Sequence, residues 1–181
     1  MKYIFFILFF TKCLTSLGQK TAGVDVSISM PSVALIDLLS TGSNSVTLKM
    51  TAPAEAGTIA GILNSNSDNW LIFTSAVTSG GSRSIKGDLI GTLPPGIKLR
   101  LDISPYTGDG PGFTGGKSYV TGNVYLTNTA TSFIDNIQEA YTGTGYGNNG
   151  FKLKYSLEIQ TYANIRSGIT NVTVRYTITD N

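Results

Sequence analysis

An antiparallel all-β sandwich of about nine strands is what this sequence predicts. Three observations carry that expectation. Apolar residues recur at every second position in five separate runs, and clusters of Gly, Asn, Ser and Pro fall between those runs. No stretch longer than about ten residues carries a helical stripe with capping residues at its ends. Charged residues make up only 13% of the chain, so the polar partners in the alternation are mostly Ser and Thr.

The elements follow in order. Val24, Val26, Ile28 and Met30 alternate with Asp25, Ser27 and Ser29, and Val46, Leu48 and Met50 alternate with Thr47 and Lys49. Ile97, Leu99, Leu101 and Ile103 alternate with Lys98, Arg100 and Asp102. Leu153, Tyr155, Leu157 and Ile159 form the fourth run, and Val172, Val174, Tyr176 and Ile178 the fifth. A period of two sends one set to a core face and the other toward water. Val33 to Leu39 and Trp70 to Val77 are more continuously apolar, which predicts strands buried on both faces or lying centrally, with Trp70 in the core. Ile85 to Ile90 and Tyr119 to Leu126 add two more strands. Phe133 and Ile137 stand one helical turn apart, but the flanking Thr-rich sequence has little helix propensity, so a strand is expected there too.

Domain organisation rests on the leader. Lys2, the apolar run Ile4 to Phe10 and the small residues Ser16-Leu-Gly18 have the layout of a signal peptide cut after Gly18. The run is shorter than the roughly 20 residues that span a bilayer, so removal is expected rather than anchoring. Cys13 follows Phe10-Thr11-Lys12, not the small-residue triplet of a lipid-attachment signal. Residues 19–181 would then form a single domain with no further transmembrane segment, exported to the cell surface, the medium or the periplasm. Removal takes with it Cys13, the only cysteine, together with Lys2 and Lys12. Of 13 basic residues 11 remain, against 11 acidic ones. A neutral chain whose Lys49, Arg83, Lys86, Lys98, Arg100 and Lys117 are scattered singly lacks the basic face that nucleic acid requires.

Chemistry is narrowly bounded. The sequence contains no histidine, so neither a Ser-His-Asp triad nor imidazole metal ligation is available. The carboxylates show no paired spacing, and Asp25, Asp102 and Glu158 alternate out of apolar runs as solvated strand positions. Asp68 and Asp109 lie in turn-forming sequence without the ligand spacing of a calcium loop. A non-enzymatic protein with no cofactor and no metal is therefore expected.

Two near-repeats stand out. Tyr106-Thr-Gly-Asp-Gly110 recurs as Tyr141-Thr-Gly-Thr-Gly145, and Gly96-Ile-Lys-Leu-Arg100 as Gly150-Phe-Lys-Leu-Lys154. Strand precedes loop in the first copy and follows it in the second, which excludes a tandem duplication. Tyr106, Phe113, Tyr141 and Tyr146 lie in or beside these Gly-rich loops, where a flat ring could stack on a sugar. They are the candidate ligand-binding residues, with glycans the alternative partner.

The tail Gly168-Ile-Thr-Asn-Val-Thr-Val-Arg-Tyr-Thr-Ile-Thr-Asp-Asn181, read after Lys152-Leu-Lys-Tyr-Ser-Leu-Glu-Ile159, resembles the end of pilin-like bacterial β-sandwich proteins. Trp70, Tyr-Thr-Gly-x-Gly and Tyr-Thr-Ile-Thr-Asp together resemble small exported proteins of Bacteroidota. That resemblance implies an Ig-like or pilin-like sandwich with a structural or adhesive role, as in a fimbrium. The chain departs from chaperone–usher pilins in lacking their disulfide and a clear extension before the first strand, Gln19 to Gly23 being only a short lead. Self-assembly by strand addition is the expected mode. The candidate edges are Val24, Val26, Ile28 and Met30, and Val172, Val174, Tyr176 and Ile178.

Overall fold

The computed structural model describes residues 23–62, 65–108 and 122–181. Contacts group the chain into one unit ending at Met30 and another running Pro31–Asn181. The proposed cut after Gly18 lies outside the described residues.

Eleven antiparallel strands and a single 3-10 turn, Tyr162–Asn164, make up the regular structure of the described residues. In chain order the strands begin β1 (Val33–Leu39), β2 (Met50–Thr51), β3 (Gly61–Ile62), β4 (Ser65–Ala76), β5 (Arg83–Ile90) and β6 (Ile97–Ile103). They continue β7 (Gly122–Leu126), β8 (Thr131–Ile137), β9 (Ala140–Tyr141), β10 (Phe151–Ile159) and β11 (Thr173–Asp180). One sheet has the spatial order β1-β4-β10-β6-β7, with β9 also joining β4; a second has the order β11-β5-β8; β2 and β3 pair by themselves.

Both large sheets supply one core, an arrangement consistent with a β-sandwich. Leu71, Phe73, Leu101, Phe151 and Leu153 come from the first sheet, and Ile85, Leu89, Phe133, Ile134 and Ile137 from the second. The Phe73 and Phe151 rings stack at 6.1 Å, and Phe133 meets Tyr176 edge-on at 5.6 Å. Each such side chain contributes on the order of 1.5–3 kcal/mol on full burial. β6 follows the period-two expectation throughout, with Ile97, Leu99, Leu101 and Ile103 buried and the charged residues between them outside. β5, central in its sheet, passes so close under the core that a side chain at Gly87 would press on its neighbours. A Cβ there would lie 3.1 Å from Leu126 and 3.3 Å from Phe133.

Several expectations change. Val24 to Met30 pairs with no strand among the described residues: residues 23–30 are not in a strand, and Val24, Val26, Ile28 and Met30 are 73–85% exposed. Alternation assigns a face, but a strand also needs a neighbour, and Pro31 removes a donor at its end. Val46 and Leu48 do turn toward the core, yet the ladder covers only Met50–Thr51 of that run. Val33 to Leu39, expected to be buried on both faces or to lie centrally, is the edge strand β1, with Leu35 63% exposed. Trp70 is buried as expected, but on the face of β4 opposite Leu71, cross-strand from Leu39 and Lys152. Phe133 to Ile137 lies in strand β8.

Candidate functional site

The two Tyr-Thr-Gly loops meet. Thr107 and Gly150 exchange backbone hydrogen bonds of 3.0 and 2.8 Å, bringing the start of one loop against the end of the other. Gly150 is required at that contact: its φ is +96°, and a Cβ would lie 2.2 Å from the Leu71 carbonyl oxygen. Tyr106 turns inward. Its ring packs on Phe151 at 5.7 Å and its hydroxyl donates to the Thr142 carbonyl at 3.2 Å. Thr142 is itself fully buried, its Oγ1 accepting the Phe73 N–H at 3.0 Å. Tyr106 therefore covers the end of the core instead of offering a free ring.

Tyr146 and Tyr141 remain on the surface, 38% and 43% exposed. The Tyr146 hydroxyl donates to Asp68, which also accepts from Thr41 Oγ1 at 2.7 Å. Those hydrogen bonds, Tyr146 first, hold the Asp68 carboxyl below its usual range, and Asp68 in turn holds the Tyr146 phenol above its own. Asp68 is thus engaged in a surface latch joining β4 to two loops. Tyr141 lies opposite Thr74, six residues further along β4 than Asp68, which is about 20 Å of extended strand. The two exposed tyrosines do not share one stacking platform. Phe113 lies outside the described residues.

The other candidate is a sheet edge. β11 pairs with β5 on one side and ends its sheet on the other. Val172, Val174, Tyr176 and Ile178 all pack against the core and are half-buried, and among the described residues no strand pairs with β11 on its other side. The outward side chains are polar; Arg175 binds Asp88 with bonds of 3.1 and 2.6 Å, which keeps the Asp88 carboxyl below its usual range. Sequence reasoning placed β11 at an edge but missed the second edge nearby, β1.

Arg83 ties these two edges at one end. It is 4% exposed, and its Nε donates to Asp180 Oδ1 at 2.6 Å. Nη1 donates to the Val33 and Ala76 carbonyls, the latter at 3.1 Å, and Nη2 to Ser32 Oγ at 2.9 Å. A hollow of about 270 Å³ opens beside it, lined by Ser32, Thr78, Ser82, Arg83 and Asp180 among others. One buried guanidinium thus holds the start of β1, the end of β4 and the end of β11. Nothing in the sequence distinguished Arg83 from the other scattered cations, because Val33 and its carboxylate partner Asp180 lie 50 and 97 residues away.

The outer face of the first sheet is polar and of mixed sign. Arg100 bonds Asp102 at 2.8 Å, the Tyr125 hydroxyl donates to Glu158 at 2.7 Å, and Lys98 sits 4.9 Å from the Tyr125 ring. No helix of the described residues is long and apolar enough to cross a membrane. Comparison of the chain with protein-family models, curated proteins and solved structures finds no match in any of the three. What the fold and the site define is an antiparallel all-β protein with two sheet edges tied at one end by a buried arginine.

Proposed function

We propose that this is an exported, non-enzymatic structural or adhesive protein of the cell surface, a pilin-like β-sandwich subunit that joins its neighbours by strand addition. One pairing of observations carries the reading. β11 presents a free edge whose inner apolar residues are half-covered, while residues 24–30 present four exposed apolar side chains at strand period. Main-chain bonding at an edge supplies affinity, and the alternate side chains supply fit. In this reading the leader is removed and the segment before Pro31 is the donor.

The test uses the exported chain beginning at Gln19. It is expected to form polymers in solution, and deletion of residues 19 to 30 is expected to leave a folded monomer of the unit that begins at Pro31. The same chain beginning at Gln19 staying monomeric at high concentration, measured by light scattering, overturns the proposal. The exposure of Tyr141 and Tyr146 supports glycan binding as a second reading. Glycan-array binding lost in Tyr141→Ala or Tyr146→Ala would favour it, and an array without hits would remove it.

A further inference from the structure

Strand addition at β11 leaves one question that hydrophobic patterning cannot answer. A donor strand slipped by one residue turns its apolar side chains outward, but a slip of two keeps them all inward. Val24, Val26, Ile28 and Met30 facing Val174, Tyr176 and Ile178 would therefore fit in several registers of nearly equal burial. Something other than apolar contact must choose among them.

The Arg83 knot is placed to do so. Asp180 ends β11 and is bonded to Arg83, whose guanidinium also occupies the Val33 carbonyl at the start of β1. The two edge strands therefore converge there, and no ladder pairing joins β1 to β11 among the described residues. Among the described residues no strand pairs with β11 on the side away from β5, so an added strand can run along that side until it reaches that point. Beyond it β1 closes on β11, and the Val33 carbonyl already has its donor in the buried Arg83 guanidinium.

We infer that Arg83 and Asp180 act as a register stop, halting the donor at one position along β11. The occupant is residues 24–30 of a second copy of this chain. Seven extended residues span about 23 Å, which suits the eight-residue edge Thr173–Asp180. The inference rests on the assembly reading above. Arg83 is a positioning residue here, acting through Asp180.

Disulfide trapping tests it. In the chain beginning at Gln19, which carries no cysteine, a donor carrying Ser27→Cys is mixed with receivers carrying Thr173→Cys, Thr177→Cys or Thr179→Cys, and cross-linked dimers are quantified after oxidation. A disulfide forms only where the Cα atoms approach within about 7 Å. Ser27→Cys is expected to favour one receiver at least tenfold. Adding Asp180→Ala to the receiver is expected to spread the yield over positions two residues apart. Asp180→Asn, which keeps an accepting oxygen, is expected to restore the single register. The Asp180 side chain is 78% exposed and fills no core space, but Asp180→Ala leaves the buried Arg83 without its carboxylate, so a thermal melt first checks that the receiver is folded. Dimers that keep one register in Asp180→Ala overturn the stop while leaving strand addition standing. Failure of every receiver to cross-link overturns both.

Discussion

The phenol oxygens of Tyr155 on β10 and Tyr176 on β11 lie 2.7 Å apart, a hydrogen bond that joins the two sheets inside the core. It is also the most strongly perturbed titrating pair among the described residues. Burial pushes Tyr155 up to about 12, and burial and then the Tyr155 charge hold Tyr176 well above its ordinary value.

Alkali should therefore loosen the fold. Below pH 10, the ordinary tyrosine value, both folded and unfolded chains keep the Tyr155 proton and the shift contributes nothing. Between pH 10 and about 12 the unfolded chain releases that proton and the folded one retains it, so stability falls as pH rises. The expected slope is about 1.4 kcal/mol per pH unit for Tyr155, read by urea denaturation across that range. The Tyr155→Phe, Tyr176→Phe double variant should be near neutral at pH 7, because both hydroxyls leave together, and should flatten the alkaline slope.

At the loop junction the cost of an added methyl group should depend on space more than on backbone angle. Gly147 and Gly150 both have positive φ, +79° and +96°, but only Gly150 lacks room for a Cβ. Gly147→Ala is expected to cost about 1–2 kcal/mol from the left-handed conformation alone. Gly150→Ala must also displace the Leu71 backbone and should lower the thermal midpoint much further. Equal losses in a thermal melt would contradict this account of the junction.

Thr142 and Tyr106 offer a second graded pair. Thr142→Val leaves the Phe73 N–H without its Oγ1 acceptor in a fully buried site, at an expected cost of about 1–3 kcal/mol. Tyr106→Phe keeps the ring on Phe151 and removes the bond to the Thr142 carbonyl, for which about 0.5–1.5 kcal/mol is expected. Chemical denaturation of the two variants measures both.

Asp68 sets an acid-side expectation. Hydrogen bonds from Tyr146 and Thr41 depress its titration, so it stabilises the fold above the ordinary carboxylate value of 3.8 and loses that contribution as pH falls through and below it. Tyr146→Phe should move the Asp68 titration upward, followed by carboxyl-carbon NMR, and raise the midpoint of acid unfolding. An unmoved titration would show that the latch is not formed in solution.

The fold was legible where a local pattern had a local consequence. Ile97 to Ile103 announced which side chains face the core, and Phe133 to Ile137 was readable as a strand from its Thr-rich surroundings. Val33 to Leu39 misled because continuous apolar sequence marks a buried strand only when neighbours flank it on both sides, and β1 has one. Val24 to Met30 misled in the opposite way, since its alternation is genuine but finds no partner among the described residues. For the site, β11 was recognisable as an edge candidate, whereas Tyr106 was not recognisable as a core cover, because Phe151 and Thr142 are brought to it only by the fold.

By itself the sequence determined composition, strand period, the absence of histidine and the apolar face of most strands, all of which are properties of neighbouring residues. Tertiary structure alone decided which strands are edges, that two tyrosines join the sheets, and that Arg83 gathers Ser32, Val33, Ala76 and Asp180. The physical reason is range. A period of two is set by the geometry of successive Cα–Cβ bonds, but a buried guanidinium is satisfied only by whatever carbonyls and carboxylates the completed sheets bring within reach.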